Sequence, residues 1–197
     1  MSLSVIVLGA TGLVGRTVLR ILEERAFPLG ELRLLASERG GSRTLEFHGR
    51  SHAVEPVTAA AFAGADLALF ACANPVSQRW APVARAAGVT VVDNSSAFRY
   101  DDGVPLVVPE VNGSLLAAHP PLVANPNCST IGIVVALAPL ARAAGLERVV
   151  VSTYQSVSGA GRGALDELER GVRAGLDGPP PGRADGGPPF AFNVVPQ

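Results

Sequence analysis

A cysteine that precedes a long apolar segment is the residue of this chain best placed for chemistry. Cys128 follows Asn125-Pro126-Asn127, leads into Ser129-Thr130 and is followed by the apolar run 131–140. Asn and Pro favour a tight turn, so we expect the thiol on a loop, with Ser129 and Thr130 capping a buried helix. The N–H groups and dipole at the start of a helix favour a thiolate. The pattern favours a nucleophile over a buried structural cysteine, which is the usual role of free Cys.

The second cysteine provides an internal comparison. Cys72 ends the apolar run 65–72, which is typical of a buried strand, so we interpret it as a structural residue. Two cysteines do not make a disulfide framework, and no Cys and His cluster has the spacing of zinc ligands, so no metal is predicted. The scattered histidines are each predicted to be surface or packing residues: His48, His52 and His119.

Composition excludes several classes of function. The chain has 197 residues, of which 48% are hydrophobic, enough for one large domain or two small ones. Its 16 basic and 17 acidic residues nearly balance, so no nucleic-acid partner is predicted. Every basic residue is arginine, which excludes Schiff-base lysine chemistry and a P-loop lysine. The apolar segments are too short and interrupted to span a bilayer, and no signal peptide is evident, so we expect a cytoplasmic protein with no membrane partner.

The first half of the chain alternates strand and helix patterns. Strands are predicted at 4–8, 32–36, 65–71 and 89–92, and helices at 16–25 and 77–87. This alternation predicts an α/β fold with a parallel sheet and right-handed crossovers.

A glycine motif joins the first predicted strand to the first predicted helix. The segment Gly9-Ala10-Thr11-Gly12-Leu13-Val14-Gly15 has the spacing G-x-x-G-x-x-G, which on its own is a weak signal. Its position between strand and helix favours a dinucleotide site over a simple tight turn, because glycines let the backbone approach a pyrophosphate that the helix N-terminus binds. The predicted cofactor-binding residues are Thr11, Gly12, Leu13 and Val14.

The end of the second predicted strand indicates which cofactor binds. NAD sites often carry an acidic residue there for the ribose 2′-hydroxyl, whereas NADP sites carry Ser or Arg for the 2′-phosphate. Ser37, Arg39 and Gly40 fit a phosphate, and Glu38 is the competing feature. NADP is therefore the predicted cofactor.

Six segments together carry a family resemblance: 9–15, 92–99, 105–112, 125–130, 151–161 and 191–197. Over essentially its whole length the chain resembles the N-terminal portion of bacterial-type aspartate-semialdehyde dehydrogenases, most specifically around Cys128 and Gln155. The resemblance implies a Rossmann-like NADP-binding domain, residues 1–127, followed by the start of an α+β catalytic and dimerisation domain, residues 128–197.

Two features of the second part follow from its own residues. The proline run and glycine pair within 175–189 predict a flexible loop. We also expect a strand at 148–157, whose sheet partners would lie outside this chain.

The resemblance implies a reaction. Family members interconvert L-aspartyl-4-phosphate and L-aspartate 4-semialdehyde with NADP and phosphate, on the route to lysine, methionine and threonine, and act as homodimers. Cys128 would form an acyl thioester by displacing phosphate. Gln155 would contact the substrate near the reacting carbonyl, and Arg99 would bind the phosphoryl group.

Further roles follow from the same resemblance. Asn127 would help to orient the substrate, and Ser158 and Gly159 would approach the nicotinamide. The chain departs from the family at Ala71-Cys72-Ala73-Asn74-Pro75, where members have a small Ser-Ala-Gly-Gly-like turn. Family members also continue well beyond Gln197, where their catalytic histidine lies, so this chain is expected to lack full activity.

Two other interpretations stay open. One is an enzyme like N-acetyl-glutamyl-phosphate reductase, which shares the fold and the thioester route, although the segments around Cys128 and Gln155 argue against it. The other is a non-catalytic nucleotide-binding homologue or fragment, against which the presence of Cys128, Gln155 and Arg99 argues.

Overall fold

The computed structural model describes residues 2–37 and 43–196. The chain forms two compact units, Met1–Val150 and Val151–Gln197, and each is described by itself. The domain boundary expected between residues 127 and 128 stays a prediction.

A seven-stranded sheet forms the centre of the first unit. Its strands are β1 (Leu3–Leu8), β2 (Leu29–Ala36), β3 (Arg43–Phe47), β4 (Arg50–Pro56), β5 (Leu67–Phe70), β6 (Thr90–Asp93) and β7 (Leu122–Ala124). They lie in the order β3-β4-β2-β1-β5-β6-β7. Every neighbouring pair is parallel except the antiparallel hairpin of β3 and β4. The predicted α/β fold with a parallel sheet is confirmed, and the hairpin is an edge that was not predicted.

The helices begin earlier than their apolar spacing indicated. They are α1 (Leu13–Glu24), α2 (Asn74–Ala86), α3 (Pro109–Asn112), α4 (Cys128–Ala144) and α5 (Arg162–Gly175), with short 3-10 helices at Ala59–Phe62, Gly113–Ala118 and Val157–Ala160. Helix α1 starts three residues before the predicted 16, and α2 starts three before the predicted 77. The proline of the first turn of α2 favours this early start, because a first-turn N–H has no partner within the helix.

The core lies on both faces of the sheet, and β1 contributes to each. Val7 packs with Leu19 and Leu22 of α1, while Ile6 and Leu8 belong to the cluster on the opposite face. All four residues from Val5 to Leu8 are at most 1% exposed. A parallel strand that is buried on both faces has this continuous apolar sequence, which explains why β1 could be predicted.

The buried helix predicted after Cys128 is a helix, but it is not buried. None of its residues is buried in this chain, and Leu140 is 57% exposed. Within the first unit, α4 packs against α3, where Arg142 donates to the Val111 carbonyl. A helix that is apolar on all sides becomes buried only where other elements pack around it, and the composition of the helix does not show which elements those are.

The strand predicted at 148–157 is also wrong. Residues 145–156 have no regular secondary structure, and Val157 begins a 3-10 helix. A strand is stabilised by hydrogen bonds to a neighbouring strand, and among the described residues none pairs with this segment.

The second unit is built on α5, and its loop contains an organised turn. Arg183 pairs with Asp185, and its guanidinium lies over the Phe190 ring, 4.7 Å from the centroid. The Arg183 N–H donates to the Gly187 carbonyl, which closes the turn. Flexibility of the surrounding loop, residues 175–189, stays a prediction.

Replacing Gly15 should damage the junction of β1 and α1. A Cβ there would lie 2.7 Å from Ala10 Cα and would also collide with the Gly9 carbonyl. We expect Gly15→Ala to lower the free energy of unfolding by about 1–3 kcal/mol, as overpacking does. Gly132→Ala is the matched control, because nothing lies within 4 Å of its added Cβ; helix propensity should make it neutral or stabilising by up to about 1 kcal/mol. Urea unfolding measures both, and equal stabilities would contradict this packing.

Candidate active site

Several connections leave the sheet at one edge. Because β1, β5, β6 and β7 run parallel and lie side by side, the residues that follow them emerge together at the carboxyl edge. These are the turns 9–12 and 71–73, the loop 94–108 and the turn 125–127. In open α/β sheets, ligands bind at this edge.

The glycine turn after β1 is built by close backbone approach. Gly9 has φ 87°, and a Cβ there would collide with the carbonyl of Ala71, which follows β5. Gly12 is the N-cap of α1, and its N–H donates to the Gly9 carbonyl at 3.0 Å. Gly15 sits directly under this turn. The glycines therefore let the turn, the helix and the end of β5 lie in contact.

The start of α1 fits a dinucleotide phosphate. Among the described residues no side chain caps this helix, and its first turn holds no acidic residue. Its N–H groups are thus available to an anion, which the positive end of the helix dipole also favours. Leu13 and Val14 are 42% and 44% exposed there, and Thr11 precedes them half-buried.

The residues predicted to select the cofactor follow β2. Ser37 is exposed directly after the strand. Arg39 and Gly40 lie outside the described residues, so their predicted role stays a prediction.

Arg99 is fixed by two backbone carbonyls from neighbouring strand ends. Its Nε donates to the Asn125 carbonyl at 2.9 Å, and its Nη2 donates to the Asn94 carbonyl at 3.2 Å. The side chain is half-buried. These bonds occupy one edge of a guanidinium that has five donors, and Nη1 takes part in neither of them.

The loops after β6 and β7 are joined beneath Arg99. The Asn125 N–H donates to the Asp93 carbonyl at 2.8 Å, and the Asn125 side-chain amide donates to Asn94 Oδ1. No role was predicted for Asn94 or Asn125 from the sequence. Their pairing places the turn that leads into Cys128 next to the loop that carries Arg99.

Cys128 is exposed at the first residue of α4. The N-cap is Asn127, whose Oδ1 accepts hydrogen bonds from the Ser129 N–H at 3.0 Å and from the Ser129 hydroxyl at 2.6 Å. The expectation that Ser129 and Thr130 cap the helix is wrong. Asn127 is the last residue with extended backbone, and Asn is as good an N-cap as Ser.

A buried polar cluster, which was not predicted from the sequence, lies beside these loops. The Asp93 carboxyl is fully buried and accepts from the Ser77 hydroxyl at 2.7 Å and from the Ser95 hydroxyl at 2.6 Å. The Ser95 hydroxyl also accepts from the Ala97 N–H. The available signal was the polar run 93–96 directly after an apolar strand, but its partner Ser77 lies on another element.

Cys72 lies at the edge of that cluster. Its Sγ is 3.3 Å from the Ser77 hydroxyl. Burial raises the pKa of the Cys72 thiol from 9.0 to about 11, the Ser77 hydrogen bond opposes this change, and the nearby Asp93 adds to it. The interpretation of Cys72 as a packing residue is confirmed, although it lies two residues beyond β5 rather than within a strand.

The remaining candidate residues belong to the second unit. Gln155 is exposed, and its side-chain amide is 3.4 Å from the Thr153 hydroxyl. Ser158 and Gly159 lie in the 3-10 helix Val157–Ala160, where the Ser156 hydroxyl accepts from the Ser158 N–H. Their predicted roles stay predictions.

The three histidines are not in the turns at the carboxyl edge. The His48 N–H donates to Glu23, and its ring contacts Phe47. The ring of His52 also packs on Phe47. His119 ends the 3-10 helix before β7. These positions agree with surface or packing roles.

Family comparison covers both parts of the chain. Residues 4–119 match the semialdehyde dehydrogenase NAD-binding domain. The chain belongs to the semialdehyde dehydrogenase family. Residues 137–197 match the dimerisation domain of the same family.

Individual relatives agree with this membership. The chain is 47% identical over 196 residues to aspartate-semialdehyde dehydrogenase 2 of Vibrio cholerae, covering 98% of this chain and 58% of that protein. It is 48% identical over 201 residues to an aspartate-semialdehyde dehydrogenase of Aquifex aeolicus, covering 59% of that protein. The crystal structure of the Vibrio cholerae aspartate semialdehyde dehydrogenase II complexed with ASA superposes with a TM-score of 0.93 over 100% of this chain and 59% of that one. The chain thus spans less than two thirds of the length of these relatives.

Within residues 2–37 and 43–196, none of the helices combines the length and hydrophobicity needed to cross a bilayer.

The two thiols should react with iodoacetamide at very different rates. At pH 8 we expect Cys128 to be alkylated first, because it is exposed whereas Cys72 is partly buried with a raised pKa. Since the thiolate is the nucleophile, alkylation of Cys72 should rise about tenfold per pH unit and level off only near pH 11. Peptide mass spectrometry measures both rates. In Cys128→Ser only the slow reaction should remain, and a Cys72 rate that levels off near pH 9 would contradict its described burial.

Proposed function

We propose that the protein containing this chain catalyses the reversible, NADP-dependent reductive dephosphorylation of L-aspartyl-4-phosphate to L-aspartate 4-semialdehyde, a step towards lysine, methionine and threonine. The observation that carries the proposal is the position of Cys128, exposed at the start of α4 and directly after the turn whose Asn125 carbonyl anchors Arg99. The names of the family relatives support the same reaction.

Cys128 is the proposed nucleophile. Its thiolate attacks the carbonyl carbon of the acyl phosphate, the bond from carbon to phosphate oxygen breaks, and inorganic phosphate leaves with its electron pair. The product is an acyl thioester on Cys128 Sγ. Reduction of this thioester to the aldehyde releases the thiolate again.

Arg99 is the proposed phosphoryl-binding residue. Its two bonds to backbone carbonyls hold the guanidinium in one orientation, while Nη1 can donate to a phosphate oxygen. Asn127 helps to orient the substrate through its position between this anchor and Cys128. For Gln155 the proposed role is to donate its amide N–H to the reacting carbonyl oxygen, which stabilises developing negative charge without adding a cation.

The glycine turn is the proposed dinucleotide cradle. Thr11, Gly12, Leu13 and Val14 would hold the pyrophosphate and pack beside it, since the uncapped start of α1 and its exposed apolar residues fit that group. When bound, NADPH would supply the hydride for reduction of the thioester.

Further residues are proposed to contact the cofactor. Ser37, Arg39 and Gly40 would bind the 2′-phosphate, which favours NADP over NAD. Ser158 and Gly159 would approach the nicotinamide.

The oligomeric state and the domain organisation are part of the same proposal. Residues 1–127 form the nucleotide-binding domain, and residues 128–197 begin the catalytic and dimerisation domain. The match to a dimerisation domain supports a homodimer. The expected location is cytoplasmic. We propose no histidine of this chain as the proton acceptor for Cys128.

The test is a phosphate-dependent assay of NADP reduction with L-aspartate 4-semialdehyde. We expect Cys128→Ser to lower kcat on the order of 10⁴-fold or more, because no thioester can form. Arg99→Ala should raise the KM for phosphate by about 10- to 100-fold, the worth of a hydrogen bond to a charged group.

A second arginine provides the control for Arg99. Arg142 also donates to a backbone carbonyl, that of Val111, but it lies in the last turn of α4. Arg142→Ala should leave the KM for phosphate unchanged. Activity that survives in Cys128→Ser would rule out the proposed reaction, as would steady-state turnover of NADP, beyond one equivalent per site, that does not depend on phosphate.

A further inference from the structure

The turn after β5 is bound to the loop after β6 by one asparagine. Asn74 is the first residue of α2, and its Nδ2 donates to the Ser96 hydroxyl at 2.7 Å. Its Oδ1 accepts from the Ser96 N–H at 3.0 Å. We call this pair of bonds the Asn74–Ser96 clasp. It uses both the donor and the acceptor of the side-chain amide.

The clasp holds Ser96, the residue at the middle of the loop that carries Arg99. At its start, the Asn94 N–H donates to the Phe70 carbonyl, and Ser95 is held by the buried Asp93. At its end, Arg99 is held by the Asn94 and Asn125 carbonyls. Ser96 lies between these anchors and is exposed, and its N–H and its hydroxyl both form hydrogen bonds with Asn74.

This arrangement gives a role to a departure noted in the sequence. The family resemblance leads to an expectation of glycines at the turn after β5, where this chain has Ala73-Asn74-Pro75. In the structure the Asn74 amide forms its two hydrogen bonds with Ser96, which belongs to the loop that carries Arg99.

We propose that Asn74 is a positioning residue that, through Ser96, fixes the loop carrying Arg99 and so sets the affinity for the phosphoryl group, but not for the dinucleotide. The inference rests on the proposed function, because it takes Arg99 as the phosphoryl-binding residue. Removing the clasp frees Ser96, which lies between the fixed Asn94 and Arg99, and lets the segment that carries the guanidinium sample other positions. A donor displaced from its acceptor loses most of its hydrogen bond.

The experiment measures two affinities by isothermal titration calorimetry, with inorganic phosphate and NADP as the probes. In the protein that carries this chain, Asn74→Ala should weaken phosphate binding about 5- to 10-fold, comparable to one neutral hydrogen bond. The affinity for NADP should stay unchanged. Ser96→Ala removes only one bond of the clasp and keeps the backbone N–H, so we expect about a 3-fold weaker affinity for phosphate.

The matched control is a second asparagine clasp in the same unit. Asn112 accepts from the Val108 N–H and donates to the Leu106 carbonyl, so it also joins a helix to the adjacent loop through both ends of its amide. Asn112→Ala should lower stability to a similar degree and leave the affinity for phosphate unchanged. Equal weakening by both substitutions would overturn the inference, because the effect would then be one of stability.

A double substitution tests whether Asn74 acts through Arg99. In an Arg99→Ala background, Asn74→Ala should cause no further loss of affinity for phosphate, since the residue it positions is gone. An undiminished loss in that background overturns the inference. Unchanged phosphate affinity in both Asn74→Ala and Ser96→Ala, together with weaker binding in Arg99→Ala, also overturns the inference. In that case the proposed function still stands. If Arg99→Ala also leaves phosphate binding unchanged, the role of Arg99 and this inference fall together.

Discussion

The buried carboxyl group of Asp93 is the constraint on which the carboxyl edge of the sheet depends. A polar group removed from water costs several kcal/mol, roughly 2–7, unless hydrogen bonds replace its solvent. Asp93 obtains them from Ser77 on α2 and Ser95 on the following loop. Any shift of α2 or of that loop would leave a buried acceptor unsatisfied. Both elements are therefore fixed relative to the end of β6.

From this anchor the candidate site is assembled mainly by backbone groups. The carbonyls of Asn94 and Asn125 orient Arg99, and the turn after Asn125 leads directly into Cys128 at the start of α4. On the other side of the edge, Gly9 touches the chain leaving β5. Parallel strands bring these groups together because their carboxyl ends emerge side by side. The candidate side chains Arg99 and Cys128 are thus held by the loops and the helix start at this edge.

The elements that could be predicted from the sequence are those whose signal is local. The continuous apolar run of β1 and the glycine turn after it depend on residues within a few positions of one another, and so does the presence of an apolar helix next to Cys128, although the thiol is on its first residue rather than on a loop. What could not be predicted depends on partners. The hydrogen bond between Ser77 and Asp93 joins residues on different elements, and the exposure of α4 depends on which elements pack around it. The prediction of a strand at 148–157 was wrong for the same reason, because a strand is stabilised by hydrogen bonds to a neighbouring strand.

The central claim is that Cys128 carries the acyl group, and trapping the acyl group tests it most directly. The protein would be incubated with L-aspartate 4-semialdehyde and NADP but without phosphate, quenched in acid and analysed by intact and peptide mass spectrometry. The account predicts an aspartyl thioester on Cys128 that disappears when phosphate is added. An adduct on Cys72, or none on Cys128 while NADP is reduced, would contradict it.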